Sequence, residues 1–108
     1  MAWPGPDSLP SEQERLRKQQ RERLAELKTV NAELADLSWT LAELEQQIAT
    51  LEAEDVAHGD GRAERRIADL RRWRGMLEER VLRHMYRADH LSAEIARLRA
   101  ALEQATPG

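Results

Sequence analysis

The sequence predicts an all-α fold: two long helices that turn back on each other as an antiparallel coiled-coil hairpin, alone or paired into a four-helix bundle. Three observations predict it. The composition is that of long helices, with 34% of the 108 residues charged, no Phe and a single Tyr, whereas globular cores draw on more aromatics. Apart from Gly75, every Gly and Pro falls in residues 1–10, 59–61 or 107–108. On both sides of the 59–61 break, apolar residues recur at alternating spacings of three and four.

Residues 1–10 hold three of the four prolines and Gly5, and read as a flexible N-terminal arm. Ser11-Glu12-Gln13-Glu14 has the form of a capping box, in which the Ser11 hydroxyl accepts from the Glu14 backbone N–H. No breaker follows until Gly59, so the first helix is expected over 11–57. His58-Gly59-Asp60-Gly61 forms the turn. Gly59 can take the left-handed conformation that ends a helix, and Asp60 can cap the next one. The second helix is expected over 62–105, before a tail at 106–108. Two helices of similar length joined by so short a link lie antiparallel as neighbours.

The seam defines the register. With core positions called a and d, the first helix supplies Leu27, Val30, Leu34, Leu37, Leu41, Leu44, Ile48 and Leu51. The second supplies Ile67, Leu70, Arg74, Leu77, Val81, His84, Ala88, Leu91, Ile95, Leu98 and Leu102. In an antiparallel pair, facing residues have a constant sum of numbers. Leu51 with Ile67, Ile48 with Leu70, Leu41 with Leu77, Leu37 with Val81, Leu27 with Leu91 and Leu16 with Leu102 all satisfy one such sum. A single turn geometry therefore aligns every layer. Toward the open end, Gln13, Gln20 and Arg23 take core positions, and the sequence expects fraying there.

Charge agrees with this pairing. Residues 31–57 carry seven acidic side chains and no basic one, while residues 62–87 carry nine Arg against four acids. The expected flanking pairs are Glu54 with Arg66, Glu45 with Arg71 and Glu33 with Arg87. Glu26 beside Glu94 and Arg17 beside Arg99 are like-charge exceptions.

A second stripe lies opposite the first seam. Ala25, Ala32, Ala35, Trp39, Ala42, Ala49, Ala53 and Val56 occupy positions b and f of the first helix. Ala68, Leu82, Tyr86, Ala93, Ala96 and Ala100 are a partial counterpart in the second, with Trp73, Met76 and Met85 nearby. Alanine also suits a bare helix surface. Trp39 in the middle of the stripe favours a packing face, because Trp, Tyr and Met anchor interfaces. The expected interface residues are Trp39, Trp73, Met76, Leu82, Met85 and Tyr86. Arg74 and His84, polar groups in an apolar seam, are the expected specificity residues, with Arg74 reaching toward Glu43 or Glu45.

Other chemistries have weaker footing. There is no Cys, which removes disulfides and thiolate catalysis. No Ser/His/Asp constellation and no Gly-rich phosphate loop occurs, so no enzyme, cofactor or metal site is expected. His58 near Glu54, Asp55 and Asp60 fits no metal-binding spacing and reads as a solvated turn. The arginines from Arg62 to Arg87 could track phosphates, but the net charge of −3 and the acids of the first helix oppose it. No run approaches the ~18 apolar residues of a membrane span, and the N-terminus has no basic region followed by an apolar run, so a cytoplasmic protein without membrane contact is expected.

His58-Gly59-Asp60, followed by Gly75-Met76-Leu77-Glu78-Glu79-Arg80-Val81, resembles the N-terminal hairpin of Gre-type transcript cleavage factors. That family has a Gly-Asp tip and, at similar distance, a Gly-aromatic-Leu-Glu-x-Arg-Ile run. The resemblance implies a coiled-coil hairpin that enters a channel of RNA polymerase, with acidic tip residues helping to hold a catalytic magnesium ion. Here only Asp60 matches a tip acid. The family's next acid falls on Ala63, the tip continues with basic Arg65 and Arg66, and no β domain follows. The residues themselves point to a structural or adaptor coiled coil that binds itself, as a homodimer, or another helical protein. A hairpin bound to RNA or to RNA polymerase is the alternative.

Overall fold

A computed structural model describes residues 11–59 and 61–105 of the chain. Helix α1 spans Glu12–His58, 47 residues, and α2 spans Glu64–Ala105, 42 residues. Together they make an all-α helical hairpin. Ser11 caps α1: its Oγ accepts from the Glu14 N–H at 3.1 Å, and its carbonyl accepts from the Arg15 N–H at 3.0 Å. Glu12 and Glu14 in the first turn complement the positive end of the helix dipole.

The far end of α1 closes on glycine. Gly59 has φ 63°, and its N–H donates to the Asp55 carbonyl at 2.7 Å. A side chain would strain that left-handed backbone. Gly61 repeats the device with φ 69°. Arg62 and Ala63 continue the turn instead of starting the helix, so α2 begins at Glu64 rather than at the expected 62. The Glu64 N–H donates back to the Gly61 carbonyl at 3.2 Å. The expectations for the 1–10 arm, for Asp60 as a cap and for the 106–108 tail lie outside the described residues.

The chain divides into two compact units, Asn31–Tyr86 and a terminal unit of Met1–Val30 with Arg87–Gly108. In Asn31–Tyr86 the core is Leu44, Ile48, Ile67, Leu70 and Leu77, with Leu37, Leu41, Leu51 and Ala63 packed against it. All but Ala63 are seam positions. In the terminal unit Leu91 is completely buried and Ile95 nearly so. Leu16, Leu27, Val30, Ala88, Leu98 and Leu102 are half-buried along the same seam. Both helices continue through this unit to Glu12 and Ala105, where the sequence expects fraying.

The seam makes a direct comparison. Leu70 is 2% exposed and Val56 is 85% exposed. Leu70→Ala should lower the unfolding free energy by roughly 2–5 kcal/mol in urea titrations. Val56→Ala should change it by less than about 0.5 kcal/mol. Equal effects would mean that Leu70 is not in the core.

Candidate protein-interaction surface

Around the helix the heptad positions run a, e, b, f, c, g, d, so each seam has an e flank and a g flank. Within Asn31–Tyr86 the e flank is joined by Arg71 Nη2 to Glu52 Oε1 at 2.5 Å. The sequence expected Glu45 as the acid. Helical side chains lean toward the N-terminus of their own helix. Arg71 therefore leans toward the turn while Glu52 leans away from it, and the two meet. The g flank is joined by His84 Nε2 to Glu33 Oε2 at 2.5 Å. The expected Glu54–Arg66 pair is not formed among the described residues.

His84 bridges two elements. Its Nδ1 lies 2.8 Å from the Arg80 carbonyl, which can only accept, so Nδ1 carries a proton. Its Nε2 meets the Glu33 carboxylate across the hairpin. His84 therefore ties the helices together. Arg74 does not. Its Nε lies 3.5 Å from Glu78 Oε1, one turn along its own helix, not at Glu43 or Glu45. Arg72 with Asp69 and Arg83 with Glu79 are likewise contacts within α2. Several of the arginines expected to be neutralised by α1 are thus neutralised locally, because i,i+3 and i,i+4 neighbours need no tertiary reach.

In the terminal unit, Arg23 resolves the like-charge contact of Glu26 and Glu94. Its Nη1 lies 2.7 Å from Glu26 Oε1 and its Nε lies 2.7 Å from Glu94 Oε2. Arg87 adds a 2.5 Å contact to the other Glu26 oxygen, in place of the expected Glu33. His90 Nε2 lies 3.0 Å from Glu94 Oε1. The hydrogen bond from Arg87, foremost, holds the Glu26 carboxyl below its ordinary 4.5; partial desolvation opposes it, and the Arg87 charge and Arg23 add to the lowering.

The six expected interface residues are all exposed: Trp39, Trp73, Met76, Leu82, Met85 and Tyr86. They do not form one patch. Leu82 at b, Met85 at e and Tyr86 at f share the e–b–f side of α2, while Met76 at c and Trp73 at g lie on the opposite side. On α1, Trp39 at f stands between the two. Leu24, 45% exposed at an e position, is a further apolar side chain that the b and f stripe passed over. An e-position count would have found it.

The depressions in this surface are open grooves, such as the one lined by Glu43, Gln46, Gln47, Thr50, Leu51 and Arg66. Among the described residues no cluster of three or more His, Cys, Asp or Glu is placed to hold a metal ion. Nor is any helix among them long and apolar enough to cross a membrane. No protein-family model matches this chain. No curated protein and no solved structure matches it either.

Two measurements probe these ties. Because Glu26 titrates lower in the folded chain, its network adds stability above the ordinary value of 4.5 that is lost as pH falls through the folded value. Thermal midpoints of Glu26→Gln should therefore fall less steeply in acid than those of the parent. An unchanged acid limb would rule out this carboxyl as a contributor. His84→Leu should raise the urea-unfolding free energy by roughly 1 kcal/mol, since an apolar side chain at this seam position adds buried apolar area while a part-exposed pair contributes little. A fall would show that the Glu33 contact is a net stabiliser.

Proposed function

We propose that this protein is a non-enzymatic structural or adaptor hairpin that works by binding a helical protein through the outward faces of Asn31–Tyr86, in the cytoplasm. One observation carries the reading. The seam already buries the leucine and isoleucine ridges, yet Trp39, Leu82, Met85 and Tyr86 stand 65%, 53%, 50% and 73% exposed. Leu82, Met85 and Tyr86 are grouped on one side of α2, and large apolar side chains so grouped, beside the alanines of α1, are the chemistry of a helix-packing face.

A second reading has one observation in its favour. Arg65, Arg66 and Arg80 carry no ion pair among the described residues, so an RNA backbone could engage them. The polymerase-associated hairpin belongs to the same class and is supported by the likeness over 58–81. Its matching tip acid, Asp60, lies outside the described residues.

Photo-crosslinking in the native cell separates these readings. A photoreactive residue at position 82 should yield a discrete protein adduct, and one at position 50 on the polar c face should not. The adduct should survive both nuclease and 0.5 M salt during lysis, whereas phosphate-based binding weakens steeply with salt. A nuclease-sensitive adduct at position 66, with none at position 82, would overturn the protein-interaction reading. Loss of polymerase transcript cleavage on Asp60→Ala would do the same.

A further inference from the structure

We propose that the occupant of the e–b side of Asn31–Tyr86 is the same side of a second copy of this chain, with α1 of each copy laid on α2 of the other and both turns at the same end. This rests on the protein-interaction reading above and specifies its partner.

Size complementarity is the first support. In the part of the unit away from the turn, α1 presents small residues on the e–b side, Ala35, Ser38 and Ala42, all exposed, whereas near the turn it carries Val56. On the same side α2 presents Leu82 and Met85, each at least half exposed. The Arg71–Glu52 contact places the e flanks of both helices on one side, so small and large residues form neighbouring stripes. A face with one small and one large stripe matches itself when a two-fold axis parallel to the helices stacks α1 on α2. That axis leaves the height of every residue unchanged. The seam register then sets Leu82 against the turn of the second copy that bears Ala35.

Gly75 is the second support. A glycine inside a helix costs about 1 kcal/mol relative to alanine. Nothing in the hairpin requires it, because a Cβ built there meets no atom within 4 Å. Gly75 occupies position b on this side of α2. In the stacked arrangement the seam register sets Ala42, at position b of α1 in the second copy, against this turn, so two small residues meet there. The hairpin alone gives this bare turn no role, whereas a closely packed neighbour does.

Charge selects between the two arrangements that a symmetric pair allows. Residues 31–57 hold seven acids and no base, and residues 62–87 hold nine Arg against four acids. On the e–b–f side itself α1 carries Glu45 and Glu52 and no base, while α2 carries Arg65, Arg71 and Arg72 against Glu64, Glu78 and Glu79, so turns at the same end put the acidic side of one copy on a side that offers arginines in the other. Turns at opposite ends put α1 on α1, so that Glu45 and Glu52 of one copy line the same contact as those of the other, and like charges across an interface oppose association. Both arrangements make every adjacent pair of helices antiparallel, as in an up-down four-helix bundle, so charge is what separates them.

Sedimentation equilibrium and spin-label distances test this on the full chain. The parent should be a dimer at tens of micromolar. Leu82→Glu and Ala35→Glu, both at exposed positions and both checked for unchanged helicity, should weaken self-association about 100-fold or more, as expected for a central apolar contact. Thr50→Glu, on the polar c face, should not. The chain has no Cys, so Ala57→Cys and Ala32→Cys can each carry one nitroxide. Both labels should report distances between copies of roughly 15–30 Å, from helix spacings of about 10 Å plus the labels. Turns at opposite ends would make at least one of them on the order of 40 Å, from ~1.5 Å of rise per residue, and would overturn the arrangement. A dimer indifferent to Leu82→Glu would overturn the face. A chain still monomeric at about 100 μM would overturn the second copy as occupant, and a protein adduct from position 82 to a different polypeptide would then leave the broader reading standing.

Discussion

Two apolar ridges packing against each other is the constraint from which the rest of this molecule follows. Neither helix is apolar enough to persist by propensity alone, and long helices in water draw most of their stability from burying one face. The ridge Leu37–Leu41–Leu44–Ile48–Leu51 has one partner of the right spacing, the ridge that begins Ile67–Leu70–Leu77. Bringing them together requires the chain to reverse within a few residues. Gly59 and Gly61, both left-handed, do this. The seam thus determines which residues face inward, and by difference it determines which large apolar side chains are left facing outward.

Polar groups at the margins of the seam act as fasteners rather than as a core. None of the polar or charged side chains among the described residues is buried. Arg23 occupies a core position, where its stem can cover apolar surface while its guanidinium joins two acids that would otherwise repel. His84 does the corresponding work in Asn31–Tyr86 by joining the Arg80 carbonyl to Glu33. Exposed pairs contribute little to stability. Their value is in register: within each unit a slip of one heptad separates the pair, Arg23 from Glu94 in one and His84 from Glu33 in the other.

The outward faces carry what the seam does not explain. A lone hairpin gains nothing from Trp39 or Leu82 in water, and it gains nothing from a glycine at position 75 with open space around it. These features become coherent on the face that a second pair of helices would cover. Small residues on one helix and large ones on the other, with opposite charge bias along the two, describe a surface that is complementary to itself. The same division of size and charge makes such a pairing directional.

Local rules were enough for much of this. The Ser11 cap, the break at Gly59, the seam positions and the exposure of the six expected interface residues all depend on periodicity or on contacts within four residues, and they are legible in the chain alone. Tertiary structure decided the rest. Arg71 chose Glu52 over Glu45, Glu33 went to His84 rather than to Arg87, and Arg74 turned to Glu78 on its own helix. The start of α2 moved to Glu64 because residues 61–64 form a turn closed by the Glu64 N–H on the Gly61 carbonyl. Long charged side chains have several partners within reach at nearly equal energy, so spacing alone does not rank them. Their direction along the helix, and competition for the same carboxylate, do.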